Sequence, residues 1–217
     1  MIVGLAAVPV LLLLLVLLLV VFIVLVELRI LSYAYRKIGI QPRYVFLILV
    51  LTLIGSHVNV PLYAIPGAAG STVVAINVGG ALIPALLSAY LFLRTGQSVR
   101  MIIGTVLVAV AVNHLAVVVP GVGVAVPVLI PPFLAAAVAL LLAFRRAPPV
   151  AYVAGTMGTL IGADLLNLER VAKLGAPMLS IGGAGTFDGI FLTGILAVIL
   201  ANLFPPRRLR EPQPWAT

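Results

Sequence analysis

The sequence predicts an all-α protein: a polytopic transmembrane bundle of about seven helices, built from repeated helical hairpins after one leading helix. Three observations predict this class. The 217-residue chain is 64% hydrophobic and only 8% charged, with a mean hydropathy of +1.32, whereas a soluble domain is about one quarter charged. Long apolar runs recur along the chain, and the short connections between them alternate between basic and nearly uncharged.

Seven apolar runs predict the helices, because a helix satisfies its own backbone polar groups in hydrocarbon. The first run lacks the basic start and small-residue cleavage site of a signal peptide, so we interpret it as a membrane helix. Several runs are shorter than the ~20 residues that a spanning helix needs, so these helices either extend into the loops or are irregular. The predicted helices are 3–30, 44–58, 76–93, 101–118, 126–144, 150–166 and 181–204.

The basic residues predict the orientation in a cell membrane. Basic connections remain cytoplasmic, so we expect a multi-pass protein with its amino terminus outside and its carboxyl terminus inside. The connections opposite the basic set hold only Arg170 and Lys173. The predicted organisation is one integral membrane domain over 1–217, with a leading helix and basic loop (1–43), three hairpins (44–204) and a cytoplasmic tail (205–217). The basic set comprises Arg29, Arg36, Lys37, Arg43, Arg94, Arg100, Arg145, Arg146, Arg207, Arg208 and Arg210.

Short internal matches predict that the hairpins are repeats. TLIGSHVN from Thr52 resembles TLIGADLLN from Thr159, and each is followed by a second match, NVGGALIPAL from Asn77 and SIGGAGTFDG from Ser180. The pairs of helices 2–3 and 6–7 therefore resemble copies of one hairpin. A weaker match places the middle pair as a third copy.

The two aspartates of the chain, Asp164 and Asp188, are the first candidate functional residues. Both lie in or beside apolar stretches long enough to cross a membrane. A carboxylate in hydrocarbon is costly unless it is paired, protonated or hydrated, so such residues commonly mark a working site. The alternative is that two interior carboxylic acids only hold helices together by hydrogen bonds.

The predicted topology places further polar residues at a similar depth, toward the outer leaflet. Two histidines and two aspartates would suit a divalent ion such as zinc or manganese, with asparagines orienting the ligands. A histidine near a helix end is also common as an interhelical hydrogen-bonding residue, so that alternative remains open. The candidate metal ligands are His57, His114, Asp164 and Asp188, and the candidate solute- or ion-binding residues are Asn59, Asn77, Asn113, Asn167 and Thr186.

Glycines and prolines predict close packing and an irregular backbone. The GxxxG spacings Gly158–Gly162 and Gly185–Gly189 favour close contact of helices 6 and 7. Prolines and glycines also interrupt the predicted outer starts of the inward-running helices. Irregular backbone at membrane depth requires protein or a water-filled cavity around it, which favours an outward-facing polar cavity.

The strings GGAGTFDGIFLTGI and GTLIGADLLNL resemble a prokaryotic family of polytopic membrane proteins that is described only as a domain of unknown function. The resemblance covers most of the chain and is strongest over 155–197. It implies no activity.

The aspartates also resemble those of the presenilin and signal-peptide-peptidase group of intramembrane aspartyl proteases. That resemblance implies that Asp164 and Asp188 are catalytic residues on consecutive helices. Two departures stand against it. Two residues separate the second glycine of GAGTFD from Asp188, so the group's GxGD motif is not met. The segment Pro84–Leu86 (PAL) precedes both aspartates, whereas in that group PAL follows them.

Three functions follow as expectations. The first is a transporter-like protein, coupled to protons or another cation, with Asp164 and Asp188 in its cavity. The second is an aspartyl hydrolase in which the two carboxyls share a proton and activate water, and the third is a structural or assembly role. The expected partners are the lipid bilayer and a small solute or ion, or a membrane peptide. Scattered basic residues argue against nucleic acid, and an oligomer is compatible with the sequence.

Overall fold

The protein is mostly helical but also contains two small β-sheets, so the all-α prediction requires correction. The computed structural model describes residues 2–67, 70–119, 123–175, 177–183 and 188–204. Its helices are α1 (Ile2–Lys37), α2 (Pro42–Gly55), α3 (Ile83–Arg94), α4 (Ser98–Leu115), α5 (Ile130–Ala143), α6 (Ala147–Thr159), α7 (Leu168–Ala172) and α8 (Gly189–Asn202). Its strands are β1 (Asn59–Gly67), β2 (Gly70–Asn77), β3 (Val117–Val119), β4 (Gly123–Ala125) and β5 (Met178–Ile181).

The strands occupy segments that sequence analysis left between helices or placed at the start or end of a helix. β1 pairs with β2 in antiparallel register, with Asn59 opposite Asn77, and β2 pairs with β5 in parallel register, with Val74 opposite Leu179. β3 and β4 form a separate antiparallel pair. These segments are rich in valine and isoleucine, which favour strands, and β5 corrects the start of the helix predicted over 181–204.

Helices α5 and α6 form an antiparallel hairpin. A Cβ atom placed on Gly155 of α6 would lie 3.3 Å from the Cβ of Ala135 on α5. The 3₁₀ turn Phe144–Arg146, midway between these residues, closes the hairpin. Proline in the first turn of α5 and of α6 agrees with these helix starts, since a proline there removes no intrahelical hydrogen bond.

Helix α6 lies at the centre of the bundle and packs against α4, α5 and α8. It runs parallel to α4, because Gly104 contacts Ala154 and, one turn further along both helices, Val108 contacts Gly158. The shared core consists largely of alanine, valine and glycine, which let helix backbones approach closely.

Three helical stretches among the described residues are long and apolar enough to cross a membrane: Val16–Lys37, Ser98–Leu115 and Ile130–Ala172. The third contains the α5–α6 hairpin and therefore folds back on itself. Large apolar side chains are exposed along α1, α2 and α4, as expected where lipid rather than water covers the surface. The repeat of the hairpins and the count of seven spanning helices remain predictions.

The GxxxG glycines of helix 6 pack against a different neighbour from the one predicted. Cβ atoms placed on Gly158 and Gly162 would collide with residues 108–112 of α4, not with α8. The close contact of α6 with α8 instead uses Gly155 and Gly194. Gly185 lies outside the described residues, and a Cβ on Gly189 would meet open space.

We expect Gly158→Ala to destabilise the bundle. The added methyl group would lie 2.6 Å from the Cβ and Cγ1 of Val108, and such overpacking costs about 1–3 kcal/mol. Thermal unfolding of the detergent-purified protein measures the effect. The matched control is Gly189→Ala, which has no atom within 4 Å of the added carbon and should leave the unfolding temperature unchanged. Equal unfolding temperatures for both variants would contradict the described α4–α6 contact.

Candidate functional site

Asp164 lies where the helix that contains it loses its regular geometry. α6 ends at Thr159, and the chain continues as a π-helical segment, Leu160–Asp164, followed by a 3₁₀ turn, Leu165–Asn167. The half-buried carboxyl group accepts a hydrogen bond at Oδ2 from the backbone N–H of Gly182, at 2.8 Å. Among the described residues, Gly182 is the only hydrogen-bond partner of this carboxyl group.

Asn167 stabilises the irregular segment. Its buried Nδ2 donates to the carbonyl oxygens of Gly162 and Ala163, at 3.0 and 2.9 Å, and to Oδ1 of Asn113 at 3.1 Å. Its Oδ1 accepts from Nη1 of Arg170 at 2.9 Å. Carbonyls that lose their helical partners at a π or 3₁₀ turn need another donor when they are buried. Asn167 is that donor, and it fixes the backbone that carries Asp164.

Asp188 is the N-cap residue of α8. Its side chain is only 8% exposed and accepts a hydrogen bond from the backbone N–H of Gly189 at 2.5 Å. A carboxylate at this position satisfies a free helix N–H and interacts favourably with the helix dipole. This role explains how a buried aspartate is stabilised on an otherwise apolar helix.

A close contact between Gly80 and Gly182 brings the elements that carry the aspartates together. A Cβ atom placed on Gly80 would lie 2.0 Å from the carbonyl oxygen of Gly182 and 3.3 Å from the Cβ of Asp188. Gly182 itself has a positive φ of +70°, a conformation that glycine adopts without strain. Gly182 therefore bonds to Asp164 through its N–H and contacts Gly80 through its carbonyl.

A second polar network supports this contact at the end of the β1–β2 pair where Asn59 faces Asn77. Nδ2 of Asn77 donates to the Ser56 carbonyl oxygen at 2.8 Å and to Oδ1 of Asn59 at 3.1 Å, and its Oδ1 accepts from the Gly80 N–H at 2.8 Å. The Ser180 hydroxyl donates to the same Asn59 oxygen. The side-chain amide of Asn77 is buried, and both its nitrogen and its oxygen are hydrogen-bonded. It therefore holds the Gly80 backbone in place.

Both aspartates line one cavity of about 530 Å³. The remaining wall is formed by α7, β4 and β5 and is mainly apolar, with the Ser180 hydroxyl among its few polar groups. No lysine, arginine or histidine of the described residues lines it. The described wall of the cavity therefore carries two carboxyl groups and no basic side chain.

The structure does not assemble the predicted metal site. His57 and His114 are exposed, and Nδ1 of each donates to a backbone carbonyl four residues earlier, at Leu53 and Val110. Across the described ranges, no three histidine, aspartate or glutamate side chains gather in a group that could hold a metal ion. His57 follows the end of α2, His114 lies in the last turn of α4, and neither lines the cavity of the aspartates.

The predicted solute-binding asparagines form two pairs, Asn59 with Asn77 and Asn113 with Asn167. None of the four is a lining residue of the acidic cavity, and Thr186 lies outside the described residues. Sequence analysis did not assign Ser180 to the site. The match of its SIGG string to the NVGG string at Asn77 was the signal that could have identified it.

Comparison with known proteins gives one match. The sequence model of a family described as "Protein of unknown function (DUF1614)" matches residues 47–200, more than half of the chain. No curated protein matches, and no solved structure matches.

We expect Asn167→Asp to destabilise the protein and displace the Asp164 segment. The substitution keeps the shape but removes both donors, leaving buried carbonyls unsatisfied at a cost of about 1–3 kcal/mol each. Thermal unfolding measures the loss. The comparison variant Arg170→Met removes only an exposed donor to Asn167 and should cost less than about 1 kcal/mol. A larger effect from Arg170→Met than from Asn167→Asp would contradict this role.

Proposed function

We propose that this chain, which belongs to the DUF1614 family of proteins of unknown function, carries out transport across a cell membrane coupled to protons or another cation. The proposal rests on its acidic cavity. One observation carries the proposal. Asp164 and Asp188 line a single cavity of about 530 Å³ that no basic side chain of the described residues reaches.

The charge of the cavity favours a cation. Two carboxyl groups on one cavity are stabilised when one binds a proton or when a cation lies between them. A coupled carrier needs groups that gain and lose charge as the solute passes. Asp164 suits this role because, among the described residues, only the Gly182 N–H donates to its carboxyl group.

The interrupted helix supports the same function. Transporters commonly bind ions where a membrane helix is discontinuous and free backbone groups face the site. Here the π and 3₁₀ segments between α6 and α7 place Asp164 at such an interruption. The N-terminus of α8, with Asp188 as its cap, forms the other side.

The finer topology is part of this proposal. The chain crosses the membrane several times, with its amino terminus outside and its carboxyl terminus in the cytoplasm, because the basic residues cluster in alternate connections. The parallel course of α4 and α6 supports this arrangement, as does the α5–α6 hairpin that closes at Arg145 and Arg146. In this orientation the acidic cavity faces outward.

An aspartyl hydrolase that acts on a membrane peptide is the second candidate. The observation that favours it is the presence of two carboxyl groups on one cavity, since a close pair of carboxyls shares a proton and activates water in aspartyl proteases. The N-cap hydrogen bond of Asp188 counts against it, because one oxygen of that carboxyl is committed to Gly189.

We expect Asp164→Asn and Asp188→Asn each to lower proton-coupled flux by about tenfold or more, since neither amide can carry the charge that passage requires. Flux is measured in proteoliposomes with an internal pH-sensitive dye under an imposed pH gradient, in sodium and then in potassium buffers. Asparagine still accepts the Gly182 N–H bond at 164 and is a good N-cap at 188. Both variants should therefore unfold at the native temperature.

Two controls make this result specific. Glu169→Gln removes an exposed carboxylate of α7 that does not line the cavity and should leave flux unchanged. Cleavage of a fluorogenic membrane peptide is followed in the same preparations. Unchanged flux in both aspartate variants would remove the carboxylates from transport, and cleavage that requires both aspartates would establish the hydrolase instead.

A further inference from the structure

A second cavity, of about 570 Å³, lies between the end of α1 and the start of α2. Arg29, Ser32 and Arg36 line it from α1, and Pro42 and Val45 line it from the first turn of α2. It shares no lining residue with the acidic cavity, and its charge has the opposite sign.

The two arginines lie on one face of α1. They are seven positions apart, which is close to two helical turns and on the order of 10 Å along the axis. Nε of Arg36 donates to the carbonyl oxygen of Ser32 at 3.3 Å, so its guanidinium points back along the helix toward Arg29. Among the described residues that line the cavity there is no carboxylate, and both arginines are exposed at its mouth.

The wall beyond the arginines is apolar and continues onto the outer surface of α1. Leu25 and Val26 line the cavity and are 56% and 39% exposed. Both lie in the stretch Val16–Lys37, which is long and apolar enough to cross a membrane, with the arginines near its carboxyl end. A ligand of this cavity therefore meets positive charge at one end and hydrocarbon-like surface at the other.

We propose that this cavity binds an anionic phospholipid, with its phosphate on Arg29 and Arg36 and one acyl chain along Leu25 and Val26. Guanidinium groups match phosphate oxygens in charge and in geometry. The Ser32 hydroxyl lies between the two arginines on the same face and supplies a further donor. Free phosphate would satisfy the arginines but leave the apolar wall uncovered, so the lipid is the ligand that fits both ends.

Native mass spectrometry of the full-length protein in detergent tests the site, with phosphatidylglycerol, phosphatidylcholine or inorganic phosphate added at matched concentrations. We expect phosphatidylglycerol to bind about tenfold more tightly than phosphatidylcholine, because each arginine near a membrane surface favours anionic lipid. The double variant Arg29→Gln with Arg36→Gln should lose that preference, and each single variant should weaken binding about threefold.

The matched control is Lys37→Gln with Arg43→Gln, which removes the same charge from the same connection but from residues that do not line the cavity. Its phosphatidylglycerol affinity should stay within about twofold of the native value. Equal losses in the two double variants would overturn the site in favour of general charge attraction. Equal binding of phosphatidylcholine, or displacement of the lipid by inorganic phosphate, would also overturn it.

Discussion

The close contact between the backbones of Gly80 and Gly182 is the constraint on which the acidic site depends. The Gly80 backbone lies so close to the carbonyl of Gly182 that no side chain fits between them. Next to this contact β2 pairs with β5, the strand that precedes α8. Gly182 donates its N–H to Asp164, and the Cβ of Asp188 lies against Gly80. Neither aspartate is positioned by its own helix alone.

The sequence predicted a mostly helical chain because the signal for helices, long apolar runs bounded by basic residues, arises from the chain itself. It did not predict the β-strands. The segment of β2, GSTVVAIN, is short and apolar, and such a run fits a helix start or a buried strand equally well by periodicity. The parallel partner of β2 lies about 100 residues away, so no local pattern indicates the pairing. The break at Leu160–Asp164 was likewise unmarked, since TLIGADLL resembles ordinary helix.

The candidate site was predictable in part. The scarcity of acidic residues identified Asp164 and Asp188, and the structure places both on one cavity. The same reasoning, which compared depth along the helices, also included His57 and His114. The structure leaves both exposed, one just after α2 and the other in the last turn of α4. Depth along a helix follows from sequence position, whereas the direction in which a side chain faces depends on packing between helices. That packing depends on small residues, and the sequence does not indicate which residues on other helices they contact.

The parallel pairing of β2 with β5 has a consequence for how the protein is made. Synthesis proceeds from the amino terminus, and the strand formed by residues 70–77 must wait for residues 178–181 before it gains this neighbour. Non-local pairing of this kind forms late, because the entropy of closing the intervening chain must be overcome first. Until residues 178–181 have been made, the edge of β2 that β5 covers lacks this neighbour and the acidic cavity has no β5 wall. A chain that stops before residue 178 would therefore carry Asp164 without its Gly182 partner.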